Sequence, residues 1–311
     1  MTLDALHETI SADALPAPFA GMFAWNIRSQ VGESPVWDAD SNSLFWIDVR
    51  APAVLRLFPD TGHLTRWLLP EVVGALALAQ GSQVLLALRR RLALLDTETG
   101  RLTLLPEVAC EPEGNRLNEG KVSPSGKWFV FGSMDDRPNQ KLASGSLYRA
   151  DAGGGITRLH ESLVIANGIA WSTDGESLYF SDSHAGKVWR APWHESLGSM
   201  GRPQLFANSP EAAGRPDGAL LNSAGQYVSA GVSAACLNTF TESGVLPQKT
   251  ALPVRAPTMP CVGRADASRL FVTSLIRPGW AFEGNHDGKL IEMAAPFGAM
   301  LATRWQGSGV Y

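Results

Sequence analysis

The sequence predicts an all-β fold, a six-bladed β-propeller with a central divalent-metal site. A short apolar strand recurs along the chain, and its successive copies are separated by 40, 44, 50, 49 and 43 residues. The first large apolar residues of these strands are Leu44, Val84, Trp128, Leu178, Tyr227 and Leu270. Repeats of about 40 to 50 residues with several short strands each are typical of propeller blades, and six of them account for nearly the whole chain.

Within each repeat, the sequence predicts a turn, an apolar strand, a second turn and another strand. In the third repeat, Ser125-Gly126 precedes a strand at residues 127–131, and residues 145–149 are the next predicted strand. Glycine suits these turns because it adopts the positive φ angles of tight hairpins at little cost. No stretch shows sustained helical periodicity, so the sequence excludes an α/β fold.

We interpret residues 1–20 as an N-terminal arm and residues 21–311 as a single propeller domain. The arm contains a helix-compatible stretch followed by Pro16 and Pro18. The strand that follows, with Met22 and Trp25, either closes the ring or covers a dimer contact, and closure is the usual role of a terminal strand in a ring. The sequence is compatible with a monomer and with a homodimer.

Composition and charge exclude several classes of protein. The net charge is −4, and hydrophobic residues make up 45% of the chain, which is typical of a folded globular protein. The basic cluster at residues 89–91 lies between two apolar strands and predicts a solvated hairpin turn, so we expect no nucleic-acid partner. No apolar run reaches the ~18 residues of a membrane span, so we expect no membrane partner. An odd number of cysteines without a CxxC pair and the lack of a signal-peptide pattern predict a cytoplasmic protein.

Four oxygen-bearing side chains share one position in the repeat, ten or eleven residues before the apolar anchor. They are Glu33, Asn118, Asn167 and Asp217, and the other two repeats have Val73-Gly74 and Met259-Pro260 there. Taken singly, each is an ordinary turn residue. Equivalent positions in a radial repeat lie around the axis, so we expect the four to converge at one end of the channel. Two carboxylates and two amide carbonyls suit a hard divalent cation, and the sequence does not choose among Ca²⁺, Mg²⁺, Mn²⁺ and Zn²⁺.

Sequence signatures of other hydrolases are missing. The chain has no G-x-S-x-G nucleophile elbow, and its six histidines show neither H-x-x-x-H nor H-E-x-x-H spacing. No glycine-rich loop lies between a strand and a helix, which argues against nucleotide binding. The oxygen-ligand set therefore remains the leading candidate for chemistry.

The chain resembles the gluconolactonase / senescence-marker-protein / luciferin-regenerating-enzyme family over roughly residues 30–300. The motifs lie at residues 32–37, 116–121, 167–171 and 216–218 and in the late strand from 261–263 to 272–274. The resemblance implies a six-bladed propeller with one divalent metal ion, whose ligands are Glu33, Asn167 and Asp217. It also implies substrate contacts for Arg116, Asn118 and Glu119, although the family more often has Asp at position 119.

The resemblance further implies hydrolysis of a sugar-acid lactone, an aldonolactone or aldarolactone, to the free acid. Attack of water on the lactone carbonyl builds negative charge on its oxygen, which a divalent cation stabilises. Asp217 could then act as the base that takes the proton from water, and Arg116 offers a planar fork of donors to hydroxyls or a carboxylate. Residues 133–141 lie between two strands and are either a lid or a mobile surface loop.

Two alternatives remain open at the level of sequence. One is a propeller hydrolase of non-sugar lactones or organophosphates, because one scaffold hosts several reactions. An apolar cavity, lined for example by Trp280 or Phe282, would favour it. The other is a non-catalytic metal-binding propeller, and the effect of a chelator on lactone hydrolysis would distinguish it from an enzyme.

Overall fold

The strands of the chain form six antiparallel sheets that surround a central channel. This architecture is that of a computed structural model, which describes residues 2–17, 19–138, 141–280 and 286–307. The innermost strands of neighbouring sheets contact one another in a closed cycle, so each sheet is one blade. The predicted six-bladed β-propeller is confirmed. Within the described ranges, no helix is long and apolar enough to cross a membrane.

The strands follow one another blade by blade. The N-terminal segment forms β1 (Thr2–Asp4), β2 (His7–Ser11), β3 (Ala14–Pro16) and β4 (Met22–Arg28). Blade 1 contains β5 (Gly32–Asp38), β6 (Ser43–Asp48), β7 (Ala53–Phe58) and β8 (His63–Leu68), and blade 2 contains β9 (Val73–Leu78), β10 (Gln83–Leu88), β11 (Arg91–Asp96) and β12 (Arg101–Glu107). Blade 3 contains β13 (Asn115–Val122), β14 (Trp128–Asp135), β15 (Gly145–Asp151) and β16 (Ile156–Leu163).

The second half of the ring repeats this order. Blade 4 contains β17 (Ala166–Trp171), β18 (Ser177–Asp182), β19 (Lys187–His194), β20 (Ser199–Met200) and β21 (Gln204–Asn208), and a 3₁₀ turn at Glu211–Ala213 follows it. Blade 5 contains β22 (Arg215–Leu221), β23 (Tyr227–Val232), β24 (Cys236–Phe240) and β25 (Gln248–Ala251). Blade 6 contains β26 (Pro257–Gly263), β27 (Arg269–Ser274) and β28 (Lys289–Ala294).

The N-terminal segment closes the ring and extends it outward. Strand β4 pairs with β28, so the first part of the chain completes the last blade. Strands β1, β2 and β3 add outer strands to blades 2, 1 and 6. Residues 2–16 therefore belong to the sheets, where the sequence had predicted a separate arm with a helix-compatible start. Strand β2 is exposed along its whole length and is held by backbone pairing, so no apolar pattern indicates it.

Large apolar side chains fill the space between blades. The ring of Trp37 in blade 1 stacks on Phe271 in blade 6, with 5.7 Å between ring centroids. Tyr179 in blade 4 stacks on Tyr227 in blade 5 at 5.6 Å. Offset stacking of this kind adds to the free energy gained by burial. The blades are thereby held in fixed angular positions, which fixes the side chains at the channel.

The C-terminal segment covers the end of the channel where the innermost strands finish. Residues 300–303 line an apolar cavity of about 140 Å³ there, together with the last residues of β13, β17 and β22. Trp305 is fully buried in the cluster shared by blades 2 and 3. Arg304 forms ion pairs with Asp38 and Asp40 of blade 1. The other end of the channel, where the innermost strands begin, carries the predicted site.

Candidate metal centre and active site

A cavity of about 260 Å³ lies at the end of the channel where the innermost strands begin. Most of the predicted site residues line it. They are Glu33 on β5, Arg116 and Asn118 on β13, Asn167 on β17 and Asp217 on β22. The structure thus brings together side chains from four blades that are up to 184 positions apart in the sequence.

A β-bulge occurs at the same level in all six innermost strands. In β5 the pairing with β6 shifts between Glu33 and Val36, and equivalent shifts follow in blades 2 to 6. A bulge inserts one unpaired residue and re-aims the neighbouring side chains. In blade 2 this position is occupied by Val73 and Gly74, which have no side-chain oxygen. Gly74 leaves no room for a larger residue, since a Cβ there would lie 2.2 Å from the carbonyl oxygen of Leu117. The common phase seen in the sequence is therefore a common bulge.

Hydrogen bonds connect the polar side chains across three blades. Arg116 Nη1 donates to Asn118 Oδ1 at 2.7 Å, and Asn118 Nδ2 donates to Asn167 Oδ1 at 2.6 Å. Asn167 Nδ2 donates in turn to Asp217 Oδ1 at 2.5 Å and to Ser183 Oγ at 2.7 Å. The chain of bonds holds the amide and carboxylate oxygens within one small volume.

The two carboxyl groups are electrostatically costly in their ionised form. Burial raises the pKa of Glu33 well above its ordinary value, and the charges of Asp217 and Glu119 raise it further. Burial likewise raises the pKa of Asp217, the Glu119 charge adds to this, and Arg116 opposes it. Two buried like charges in one cavity are stabilised by a cation between them.

This donor set fits a divalent metal ion. Within the described part of the chain, no cluster of three or more His, Cys, Asp or Glu side chains is arranged to hold one. The candidate ligands are instead two carboxylates, Glu33 and Asp217, with the amide oxygens of Asn118 and Asn167. An all-oxygen set of this composition suits hard cations such as Ca²⁺ or Mg²⁺.

Glu119 lies beneath the cavity and is not part of its lining. Its two carboxylate oxygens accept hydrogen bonds from the backbone N–H groups of Gly168 and Ile169, at 2.6 and 2.8 Å. Gly168 has a φ of +64°, and a Cβ there would lie 2.2 Å from the hydroxyl oxygen of Tyr227. This position accordingly requires glycine. The placement indicates that Glu119 supports the bulge of β17, whereas the sequence had predicted substrate contact.

Asp136 is a site residue that sequence reasoning did not single out. It forms ion pairs with three arginines from three blades: Arg116 at 3.1 Å, Arg50 at 2.5 Å and Arg89 at 3.2 Å. Burial lowers the pKa of Arg116 to about 10, and the charge of Asp136 opposes the shift. Arg89, predicted in a solvated turn, therefore reaches the edge of the site. Asp136 directly follows β14, whose last three residues, 133–135, belong to the segment that the sequence had assigned to a loop at 133–141.

Further polar residues line the cavity without a signal in the sequence. They are Arg50, Lys141, Ser183, Arg215 and Arg277. Each lies in a loop or at a strand end, where no repeat position identifies it. Trp280 does not line the cavity; its ring lies 5.8 Å from the guanidinium carbon of Arg277. Phe282 lies outside the described residues, as do residues 139 and 140 of the predicted lid.

Comparison with known proteins shows which family and which relatives the chain is similar to. The family model of the SMP-30/Gluconolactonase/LRE-like region matches residues 31–276. The chain is 32% identical over 247 residues to the 6-deoxy-6-sulfogluconolactonase of Pseudomonas putida, covering 79% of this chain and 84% of that protein. It is also 32% identical over 262 residues to the L-arabinolactonase of Azospirillum brasilense. That match covers 83% of this chain and 85% of the arabinolactonase.

Solved structures agree with this assignment. The fold superposes on a calcium-binding protein, regucalcin, from Agrobacterium tumefaciens with a TM-score of 0.84 and 29% sequence identity. The match covers 90% of this chain and 95% of that one. The family resemblance found in the motifs is confirmed over most of the chain.

Proposed function

The chain belongs to the SMP-30/gluconolactonase/LRE-like family, and on that premise we propose that it is a metal-dependent hydrolase that opens a sugar-acid lactone to the free acid. The observation that carries the proposal is the convergence of two carboxylates, two amides and an arginine in one cavity. These residues are Glu33, Asn118, Asn167, Asp217 and Arg116. Relatives named as a sulfogluconolactonase and an arabinolactonase support a sugar lactone as the substrate class.

One divalent cation would be held by Glu33, Asn167 and Asp217. When bound, such an ion stabilises negative charge on a carbonyl oxygen and lowers the pKa of water. The raised pKa values of the two carboxyl groups support this role, because a bound cation offsets the burial, and the neighbouring like charges, that raise them. The description of the regucalcin neighbour as calcium-binding points the same way.

Asp217 is the side chain we assign as general base. Its Oδ1 accepts the hydrogen bond from Asn167, while Oδ2 accepts no side-chain hydrogen bond within the described residues. Oδ2 is therefore the oxygen that can take a proton from the attacking water. The bond from Asn167 fixes the rotation of the carboxylate, so this oxygen is held in the cavity.

Arg116 and Asn118 orient the substrate. Arg116 uses Nε on Asp136 and Nη1 on Asn118 and on the carbonyl oxygen of Leu117. No acceptor in the described residues lies within hydrogen-bond distance of its Nη2, so both N–H groups there remain for substrate oxygens. Because the guanidinium is fixed at three points, it reaches the bound lactone with little further loss of side-chain entropy.

The lining favours a polyhydroxy substrate over an apolar lactone. Most side chains around the cavity carry hydrogen-bonding groups, and the apolar ones, such as Val31 and Ile165, are aliphatic and lie among them. A site built to hydrogen-bond hydroxyl groups discriminates strongly against analogues that lack them, because its buried polar groups are then left unpaired.

The proposal is tested with metal-stripped protein and a panel of sugar lactones. Acid release is followed with a pH indicator for glucono-, galactono-, xylono-, arabinono- and glucarolactones, before and after addition of each divalent ion. We expect metal-restored hydrolysis of one or a few members. Tight metal binding without hydrolysis of any lactone would overturn the proposal and leave a non-catalytic metal-binding propeller.

A further inference from the structure

The cavity carries positive side chains that are not needed to bind a metal ion. Five cationic side chains line it beside the carboxylates of Glu33 and Asp217. They are Arg50, Arg116, Lys141, Arg215 and Arg277. A divalent ion would neutralise the two carboxylates, so none of this positive charge is needed for holding the metal.

Three of the five cations have partners. Arg50 and Arg116 share Asp136, and Lys141 Nζ donates to the backbone carbonyl of Asp135 at 2.7 Å. Their charges or donors are thus engaged in the fold itself. These contacts hold Asp136 and Lys141 beside the cavity, which leaves Arg215 and Arg277 as the two cations of the described lining without such a contact.

Arg215 and Arg277 have no such partner. Within the described ranges, no carboxylate lies within ion-pair distance of either guanidinium, and neither side chain donates a hydrogen bond. The two lie on neighbouring blades: Arg215 begins β22, and Arg277 follows β27. Both side chains line the same cavity. Burial lowers the pKa of Arg277, the charge of Arg215 lowers it further, and Asp217 opposes the shift.

The backbone fixes where this pair lies relative to the ligand cluster. Arg215 is two residues before Asp217 on the same strand, about 7 Å along its axis. It is exposed, whereas Asp217 is buried, so Arg215 lies nearer the entrance. Arg277 is anchored by the bond from Ile276 N–H to the Gln30 carbonyl and by the ring of Trp280.

We propose that the lactone bound in this cavity carries an anionic substituent, a carboxylate, sulfonate or phosphate remote from its carbonyl, and that Arg215 and Arg277 bind that anion. The inference rests on the proposed function and narrows its substrate class. Paired guanidinium groups are suited to such anions, since each offers parallel N–H donors in a fixed plane. The carboxylates that line the cavity beside the pair are Glu33 and Asp217, and a bound divalent ion would offset their charge.

The test compares matched lactones. Glucono-1,5-lactone is compared with its 6-phospho and 6-deoxy-6-sulfo counterparts, which differ at one carbon, and glucarolactone supplies the carboxylate. We expect kcat/KM for at least one anionic lactone to exceed that for the neutral one by about tenfold or more, as charge-assisted hydrogen bonds provide. The ratio should fall as salt is added, because the site is open to solvent.

Variants of the two arginines test whether they bind the anionic substituent. Arg215→Gln and Arg277→Gln should lower the anionic-to-neutral ratio toward one, and Arg277→Lys should keep part of it. Arg158→Gln removes the same charge from an exposed ion pair on the outer strand of blade 3 and should keep the wild-type ratio. A ratio near one in the wild-type protein, or an equal loss on both lactones in the variants, would overturn the inference.

A second experiment distinguishes failure of the lactonase proposal from failure of the anion-binding inference. If no lactone is hydrolysed with metal restored, the lactonase proposal fails, and calorimetric titration with the open-chain acids decides on anion recognition. Tighter binding of 6-deoxy-6-sulfogluconate than of gluconate, lost in Arg215→Gln and Arg277→Gln, would support the arginine pair. Equal binding of the two acids would reject it.

Discussion

The carboxylate of Asp136 and the guanidinium of Arg116 form an ion pair with 3.1 Å between Oδ1 and Nε, and both side chains are more than 90% buried. Asp136 is also bound by Arg50 of blade 1 and Arg89 of blade 2. A single carboxylate thus connects three blades at the edge of the cavity. It also fixes Arg116, whose Nη2 we propose to donate to the substrate.

Replacement of Asp136 should therefore impair substrate binding through Arg116. In Asp136→Asn, three arginines lose their common counter-charge, and we expect kcat/KM to fall by about 10- to 100-fold, in line with hydrogen bonds to charged groups. The loss should be mainly in KM, because Asp136 does not reach the reacting atoms. Steady-state kinetics with a lactone that the wild-type protein hydrolyses measure the effect on kcat and KM.

A matched control is available in blade 2. Glu107 forms an ion pair with Arg91 on the outer strand and is exposed, so Glu107→Gln should change neither kinetics nor stability by more than about 0.5 kcal/mol. If Asp136→Asn kept kcat/KM within twofold of wild type, Asp136 would not position Arg116.

Glu33 and Asp217 should have separable effects on metal binding and chemistry. Glu33→Gln and Asp217→Asn each remove one carboxylate from the ligand set, and we expect metal affinity to fall on the order of 100-fold or more, since even outer-shell partners contribute 10- to 100-fold. At saturating metal, Glu33→Gln should recover part of its activity. Asp217→Asn should not, because it also lacks the base. Calorimetry and metal-saturated kinetics separate the two.

The control for these variants is an exposed carboxylate far from the channel. Glu161 lies on the outer strand of blade 3 with 70% of its side chain exposed, and Glu161→Gln should keep wild-type affinity and turnover. Near-wild-type turnover of either Glu33→Gln or Asp217→Asn in metal-stripped form would show that the mechanism is wrong.

The stabilising effect of metal should grow with pH. In the metal-free protein, the pKa values of Glu33 and Asp217 are raised, so their contribution to stability is present at low pH and is lost as pH rises through the raised pKa values. Metal competes with these protons and stabilises the folded state in proportion to its affinity. The gap in Tm between metal-loaded and metal-free protein should therefore widen from pH 5 to pH 8.

This pH dependence has an internal control. In the double variant Glu33→Gln/Asp217→Asn, neither position titrates, and the gap should stay small over the whole range. A gap that is constant or narrows toward pH 8 in the wild-type protein would contradict the assignment of these two residues as ligands.

The repeat made the fold predictable, together with the placement of the candidate ligands in the channel. The positions of the loop residues were not predictable in this way. Every anchor from Leu44 to Leu270 lies at the start of the second strand of a blade, so the offset to the first strand located Glu33 and Asp217 correctly in the channel. Asp136 and Arg277 lie beyond strand ends, at positions without equivalents in other repeats. Contacts between the side chains of these loops form only when the ring of blades closes. No local sequence pattern therefore predicts them.

The two chain ends were missed for a related reason. Strand β2 is held by backbone pairing and by the exposed ion pair between Glu8 and Arg66, without buried apolar side chains. The segment that contains Trp305 crosses the channel without regular structure. Neither has a hydrophobic period of two or 3.6 residues, which is the signal that sequence reasoning uses. In the sequence, Trp305 is an isolated aromatic residue near the C-terminus, and only the fold shows that it fills a core.

Trp305 should be essential for stability and unimportant for chemistry. It is fully buried between blades 2 and 3, at the end of the channel opposite the candidate metal centre, so Trp305→Ala should lower the free energy of unfolding by about 3 to 5 kcal/mol. The indole N–H finds no hydrogen-bond partner in the described residues, so Trp305→Phe should lose much less. Met300→Ala, on the same segment but 59% exposed, is the matched control and should be nearly neutral. Denaturant unfolding measures all three, and a Trp305→Ala protein as stable as Met300→Ala would show that the C-terminal segment does not hold this end of the propeller together.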